Sequence, residues 1–341
     1  MSSATVSAAD QPAIPWWLWP NVLSLDAPIV AVLCQAALAR AHKVAMPPSV
    51  YWILFLVVWL IYVLDRVLDG MSIPQGKPLS ARHAFYRRHR RLFLFLVVPA
   101  GGLTTLWLAL AEIPEGIFWR GLALGFIVGL YLLHFAARGN RAIYTVGNIV
   151  ACTMGGVLLW SLPLPVPFKI LYGTVLMALL ALAVGRRAGD SFRILPKEVV
   201  CGYLFALGSS LSVNFFAGDQ RAHPFSPEVL MLALLCSLNC IAVSCYERAA
   251  KTHPDPDGIT QMWPHIARLY PMLLVSLAVA VSWTLSHKMP LSLFLFSVAV
   301  LLSTILLGVV HHLAKRMSPE LCHVLADVAI AVPVLVMVVA A

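Results

Sequence analysis

The sequence has few charged residues and no extended polar region. Asp, Glu, Lys and Arg make up 11% of its 341 residues, against roughly a quarter in a soluble domain. Hydrophobic residues make up 60%, and the mean hydropathy is +0.86. No polar stretch is long enough to bury a core of its own, so the composition excludes a chain of soluble domains and indicates an integral membrane protein.

Paired cysteine motifs and a recognisable leader are also lacking. None of the seven cysteines belongs to a CxxC pair, and all lie in or near apolar runs, so we predict neither a disulfide framework nor a zinc site. Residues 1–20 have no basic segment ahead of an apolar one, the pattern that marks a signal peptide. We therefore expect 1–20 to be a cytoplasmic tail, with 21–341 forming a single transmembrane domain.

Apolar runs of about twenty residues, each long enough to cross a bilayer as a helix, recur along the whole chain. They predict an all-α, polytopic transmembrane bundle of about nine to eleven helices. The eleven candidate spans are 22–42, 49–68, 91–111, 116–136, 142–161, 168–185, 198–217, 228–247, 267–286, 290–312 and 323–340.

The net charge of +9 is better explained by membrane topology than by nucleic-acid binding. If the N-terminus is cytoplasmic, seventeen Lys and Arg residues lie in or beside cytoplasmic loops and six on the opposite side. Because cytoplasmic loops of membrane proteins are enriched in Lys and Arg, this bias favours a cytoplasmic N-terminus. We expect no nucleic-acid partner.

Two aspartates end the second span. Tyr62, Asp65 and Asp69 share one face of a helix, because residues four apart are offset by about 40°. Carboxylates one turn apart repel each other unless a cation lies between them. Their oxygens suit Mg²⁺, which takes its other ligands from water and from substrate phosphates. Alternatively, the aspartates only end the span, with Arg66 as their partner.

A strongly basic segment, "ARHAFYRRHRR" at 81–91, follows these aspartates. We expect it to be a cytoplasmic loop. An acidic pair beside a basic loop suits a diphosphate, with a metal on some of its oxygens and Arg or Lys on the others. The same loop could instead be a topological anchor that binds anionic lipid.

The segment "YVLDRVLD", residues 62–69, resembles the first aspartate motif of the UbiA superfamily of intramembrane prenyltransferases, NDxxDRxxD. Segments such as "LSLDAPIVAVLCQ" and "LADVAIAVPVL" resemble a divergent bacterial branch of that superfamily. The resemblance implies a cavity on the cytoplasmic side of a helical bundle, where Mg²⁺ holds an isoprenyl diphosphate. Asp65 and Asp69 would be the Mg²⁺ ligands, and Arg66 matches the arginine of the motif.

The sequence departs from the motif in two places. Ile61 and Tyr62 stand where the motif has Asn and Asp, and the second aspartate motif is missing as such. Its best positional candidate is 239–258, which offers Glu247, Asp255 and Asp257 as further metal ligands. We place Glu247 opposite the Asp65 and Asp69 pair, the alternative being a local ion pair with Arg248 or Lys251.

Further residues are candidates for binding the substrate. Arg82 and Lys197 could reach its phosphates, although Lys197 could also simply extend towards the membrane surface. An aromatic face would stabilise an allylic carbocation. The aromatic candidates, with the amide that shares a helix face with the last of them, are Tyr62, Tyr203, Tyr246 and Asn239.

Asp26 and Asp327 lie inside the first and last spans. Intramembrane acids are costly and usually face a cavity or a partner. A functional role and a packing role remain open for both.

These features predict a Mg²⁺-dependent prenyltransferase in the bacterial inner membrane, with its site facing the cytoplasm. The expected partners are a prenyl diphosphate, a lipophilic acceptor, which we expect to be aromatic, and membrane lipids. Two alternatives remain, an intramembrane terpene cyclase and a non-catalytic isoprenoid-binding or lipid-binding protein on the same scaffold.

Overall fold

The computed structural model describes residues 14–72, 80–135, 141–161, 165–166, 169–170, 172–174, 176–177, 196–218, 223–250 and 258–340. Helices dominate these residues, and no β-strand occurs among them, as an all-α fold requires. The long helices are α1 (Asp26–Ala41), α2 (Pro48–Ser72), α3 (Ala81–Glu112), α4 (Glu115–Phe135), α5 (Arg141–Ser161), α6 (Lys197–Ala217), α7 (Pro227–Ala249), α8 (Ile266–Leu285), α9 (Leu291–Leu313) and α10 (Pro319–Ala340).

Eight of these helices are each long and apolar enough to cross a membrane, and a bent pair of helices would make a ninth. The described part of the chain therefore has the helices of an integral membrane protein. The observed helices match the predicted spans to within a few residues, except at 91–111, where the helix starts ten residues earlier. Most of the predicted span 168–185 lies outside the described residues.

The bent pair lies at the N-terminal side of the bundle. A short helical segment, Trp16–Val22, meets α1 at an angle of 76°, and Ser24 in the bend has a φ of 55°. Part of the predicted tail 1–20 is therefore helical, while residues 1–13 lie outside the description. Trp16 and Trp19 are exposed, as suits aromatic residues at a membrane interface.

The basic segment 81–91 is helical, so the expectation of a loop there was wrong. It contains neither Gly nor Pro, and arginine is a good helix former. It continues through a π-helical turn, Phe93–Val97, into the apolar half of α3. The π turn ends two residues before Pro99, which cannot donate a backbone hydrogen bond to the preceding turn.

The helices form a closed arrangement in which the first and last long helices are neighbours. α1 packs against α2, α6 and α10, while α7 packs against α6, α8, α9 and α10. The largest buried core lies between these helices, and a second one joins α4 to α6. α3 packs mainly on α2, through a small cluster that contains Val63, Val67, Tyr86 and Phe93.

α6 and α7 approach each other closely at Gly202. A Cβ atom added to Gly202 would overlap the backbone and side chain of Ser237. Small residues allow such backbone contact, which stabilises helix pairs inside a membrane. Gly202 therefore allows the close spacing of α6 and α7.

We predict that Gly202→Ala lowers the stability of the protein, because the added methyl group forces α6 and α7 apart. Overpacking of this kind costs about 1–3 kcal/mol. The thermal unfolding of the detergent-solubilised protein would measure the loss. Gly121→Ala is the matched control, since a Cβ atom there meets nothing within 4 Å; equal effects of the two substitutions would contradict the prediction.

Candidate functional site

Asp65, Arg66 and Asp69 lie in the last turns of α2. Nη1 of Arg66 is 3.8 Å from an oxygen of Asp65 and 3.8 Å from an oxygen of Asp69. Carboxylates near a helix C-terminus are unfavourable because they face the negative end of the helix dipole. Arg66 offsets this cost by lying between the two carboxylates. Arg66, the partner expected if the aspartates only end the span, therefore contacts both carboxylates directly.

The start of α3 brings a histidine ring to the same place. Nε2 of His83 is 3.9 Å from an oxygen of Asp69, and Nδ1 of His83 is hydrogen-bonded to Oγ of Ser80 at 2.7 Å. The serine therefore orients the ring toward the carboxylate. We did not predict a role for His83 from the sequence, although a histidine that immediately follows a candidate arginine in the basic segment was a usable signal.

Glu247, in the last turn of α7, is joined to α3. Nη2 of Arg82 donates a hydrogen bond of 2.8 Å to Oε1 of Glu247, and Arg82 is almost fully buried. Arg248 donates to the backbone carbonyl of Thr260, and the alternative of a local ion pair of Glu247 with Arg248 or Lys251 stays a hypothesis. Lys251 lies outside the described residues. The charged cluster thus comprises Asp65, Arg66, Asp69, Arg82, His83 and Glu247.

Lys197, the first residue of α6, lies beside the charged cluster. It lies near enough to act electrostatically on both Asp65 and Asp69, so it adds to the positive charge around these carboxylates. Glu198, the next residue, is buried, and both of its oxygens accept from the backbone N–H of Ile259 at 3.0 Å. Glu198 therefore anchors the segment that follows α7.

The last helix, α10, reaches the charged cluster through His323. This side chain is 8% exposed, and Arg82, Arg66 and His83 lie in its neighbourhood. Sequence reasoning missed His323; its spacing of four residues from Asp327, on the same helix face, was the available signal.

The two intramembrane acids are partners of each other. The carboxyl groups of Asp26 and Asp327 lie beside each other, so the pair is favourable only when one of them carries a proton that it donates to the other. Asn21 donates to Asp26 at 2.5 Å, and Asn239 donates to Asp327 at 2.8 Å. This chain of polar groups links the bend before α1 to α7 and α10.

A small cavity lies inside the bundle, next to the charged cluster. Tyr62, which lines it, is one helical turn before Asp65 and Arg66. The volume open to the centre of a water molecule is about 30 Å³, enough for about two waters. The lining residues are Ala27, Val30, Tyr62, Cys201, Gly202, Phe205, Cys236, Asn239, Cys240, Asp327 and Ile330.

Two of the predicted aromatic residues lie away from this cavity. Tyr246 is buried, with its ring 6.2 Å from that of His311, which in turn is 4.7 Å from the ring of Tyr270. Tyr203 packs against the two larger hydrophobic cores. The aromatic rings that line the cavity are those of Tyr62 and Phe205.

The carboxylates of Asp65 and Asp69 could supply some of the ligands of a Mg²⁺ ion but not all of them. Among the described residues, no group of three or more His, Cys, Asp or Glu side chains is placed to hold a metal ion. Two carboxylates are nevertheless what Mg²⁺ commonly takes from a protein when a phosphate supplies the rest. The other two predicted ligands, Asp255 and Asp257, lie outside the described residues.

Comparison of the chain with protein-family models, with curated proteins and with solved structures gives no match.

We predict that Arg82→Gln and Glu247→Gln each lower stability by about 1–3 kcal/mol, because each leaves a largely desolvated charge without its partner. The double substitution should cost at least about 0.5 kcal/mol less than the sum of the two single effects. Unfolding of the four proteins of this cycle in detergent would measure the coupling. Additive effects would contradict a direct interaction. Glu112→Gln, at an exposed residue, should change stability by less than about 0.5 kcal/mol.

Proposed function

We propose that the protein is an integral membrane prenyltransferase that resembles the UbiA superfamily. It would transfer an isoprenyl group from a prenyl diphosphate to a lipophilic, aromatic acceptor with the help of Mg²⁺. The observation that carries the proposal is the charged cluster, which gathers side chains from α2, α3 and α7 beside a cavity in an apolar bundle.

The chemistry of a prenyl diphosphate matches this arrangement. Its diphosphate is a multiply charged anion, which needs cationic groups at a wet membrane edge. Its isoprenoid tail is apolar and is stable among transmembrane helices. Tyr62 lies one turn from Asp65 along α2, so a diphosphate at Asp65 and Asp69 would direct its first carbon toward the cavity.

Asp65 and Asp69 are the residues that would hold Mg²⁺ in this proposal. When bound, the ion would neutralise the departing diphosphate. Arg66 would then release the carboxylates it contacts and bind phosphate oxygens, with Lys197 adding charge from α6. The cluster would thereby exchange internal ion pairs for contacts with the substrate, at little net change in charge.

The reaction requires that the bond between the allylic carbon and the diphosphate oxygen breaks, with its electron pair leaving on the diphosphate. The acceptor then supplies an electron pair to the allylic carbon and loses a proton. The rings of Tyr62 and Phe205, which line the cavity, would present their negative faces to the positive carbon. Because the cavity has room for about two waters, substrate entry must widen it.

Orientation follows from the same proposal. One end of the bundle is formed by the starts of α1, α3, α6 and α10 and by the ends of α2 and α7. This grouping is the one that the predicted alternation of spans requires. The Lys and Arg bias supports a cytoplasmic location for that end. We propose that it faces the cytoplasm at the bacterial inner membrane.

We predict that the purified protein releases diphosphate from geranyl, farnesyl or geranylgeranyl diphosphate only when Mg²⁺ is present. Asp65→Ala and Asp69→Ala should each lower the rate roughly 100-fold or more, since each removes a ligand of the group that stabilises the leaving charge. Glu112→Ala is the control, because Glu112 is exposed at the far end of α3 and should leave the rate unchanged.

The outcomes separate the alternatives. Release that yields a cyclic hydrocarbon or alcohol without any acceptor would replace the transferase with a terpene cyclase. Binding of prenyl diphosphates without release, in membranes that supply candidate acceptors, would indicate a non-catalytic isoprenoid-binding protein. Absence of both binding and release would sink the proposal, leaving the aspartates as the end of a helix.

A further inference from the structure

Two cysteine side chains meet across the contact between α6 and α7. Cys201, on α6, and Cys240, on α7, line the same cavity, and the thiol of Cys240 donates a hydrogen bond to the sulfur of Cys201. Both are free thiols, and both are partly accessible. The pair therefore has what reversible thiol oxidation needs, a second sulfur in contact with the first and an open space beside them.

The packing of α6 on α7 accounts for this pairing. The two helices follow each other in the chain and pack antiparallel, and their backbones touch where Gly202 meets Ser237. Oγ of Ser237 also contacts the backbone carbonyl of Val199 at 3.4 Å. Cys201 directly precedes Gly202, and Cys240 follows Ser237 by less than one helical turn. A disulfide needs Cα atoms about 4.4–6.8 Å apart, a spacing that backbone contact between two helices provides.

Cys201 is the better nucleophile of the two thiols. Its sulfur accepts a hydrogen bond from the hydroxyl of Tyr131, on α4, as well as the one from Cys240. Hydrogen bonds to the charged form of a group stabilise that form, and the thiolate is the reactive form of cysteine. Cys201 therefore suits the first attack on an oxidant, and Cys240 suits the role of the second, resolving thiol.

We propose that Cys201 and Cys240 are a modification site, a peroxide-sensitive dithiol that hydrogen peroxide closes to a disulfide between α6 and α7. The cavity beside the two thiols has room for about two waters. Hydrogen peroxide, with its two oxygen atoms, needs about this much space. The cavity thus admits a small peroxide to both sulfurs, while a bulky oxidant such as oxidised glutathione is too large for it.

The reaction balances with hydrogen peroxide as its oxidant. The Cys201 thiolate attacks one peroxide oxygen, and the O–O bond breaks with its electron pair on the other oxygen. The hydroxide that leaves takes up the proton that Cys201 lost, which gives water. The Cys240 thiol then attacks the sulfenic acid on Cys201, so that the S–S bond forms, the S–O bond breaks and a second water leaves.

Peptide mapping of the full chain tests the proposal. The protein is purified in detergent under reducing conditions, treated with hydrogen peroxide and blocked with N-ethylmaleimide. Trypsin cleaves after Lys and Arg, which places the two cysteines on separate peptides, 198–221 and 222–248. We expect mass spectrometry of the unreduced digest to show these peptides joined, with fragmentation placing the bond between Cys201 and Cys240. Dithiothreitol should separate them.

Serine variants supply the matched control. Cys201→Ser and Cys240→Ser should each abolish the joined peptides. Cys236→Ser should keep them, because Cys236 lines the same cavity but is buried. Oxidised glutathione at equal concentration should form the bond at least about tenfold more slowly than hydrogen peroxide, since thiol oxidation depends on access.

Four results would overturn the proposal. They are no joined peptides in peroxide-treated wild type, a bond from Cys201 to Cys236 or Cys245 instead of Cys240, equal losses in Cys236→Ser and Cys240→Ser, or equal rates with peroxide and oxidised glutathione. All but the third are measured on the wild-type protein, so they decide the matter even where a variant does not fold.

The disulfide also has a consequence for catalysis, and this part alone rests on the proposed function. Substrate entry must widen the cavity, and a bond across it holds α6 and α7 together. Peroxide should therefore lower Mg²⁺-dependent diphosphate release by the wild type, and dithiothreitol should restore it. Release by Cys240→Ser should be the same before and after peroxide. Joined peptides in a protein that turns over no prenyl diphosphate would keep the dithiol and reject the transferase.

Discussion

Charge neutralisation at the edge of an apolar bundle is the constraint on which the rest of this structure depends. An unpaired charge is costly where little water can reach it. Arg66 neutralises two carboxylates of its own helix by lying between them. Arg82 pairs with Glu247, which is 165 residues away in the sequence. These pairs tie α2, α3 and α7 together at one end, so the geometry of the charged cluster and the packing of the bundle are set by the same contacts.

The helices and the acidic pair could be predicted from the sequence because both depend on local information. A run of about twenty apolar residues is a helix in a membrane whatever its neighbours are. The positions of Asp65 and Asp69 on one face follow from the helical period alone. These predictions needed no knowledge of which helices are in contact. They fail where a helix extends into polar sequence, as α3 does at 81–91, and where a short helix lies inside the predicted tail, as at Trp16–Val22.

The partners of the charged residues could not be predicted, because they depend on contacts between distant segments. Nothing near Glu247 in the sequence indicates Arg82, and nothing near His323 indicates the start of α3. A shared helix face was also not enough to predict which residues line the cavity. Asn239 and Tyr246 share a face, yet Asn239 lines the cavity while Tyr246, two turns further along α7, contacts the His311 ring. A cavity occupies a limited depth of a bundle, which a helical period does not encode.

α3 has a basic half and an apolar half, and this division makes its position sensitive to the surrounding bilayer. The first half is basic and carries Arg82 and His83, the second half is apolar and largely unburied, and the π turn Phe93–Val97 lies between them. α3 rests mainly on α2, so lipid acyl chains surround most of its apolar length. A thicker or thinner bilayer acts on such a helix by tilting or shifting it. We therefore expect membrane thickness to change the position of Arg82 relative to Glu247. The geometry of the charged cluster would then depend on the lipid composition of the membrane.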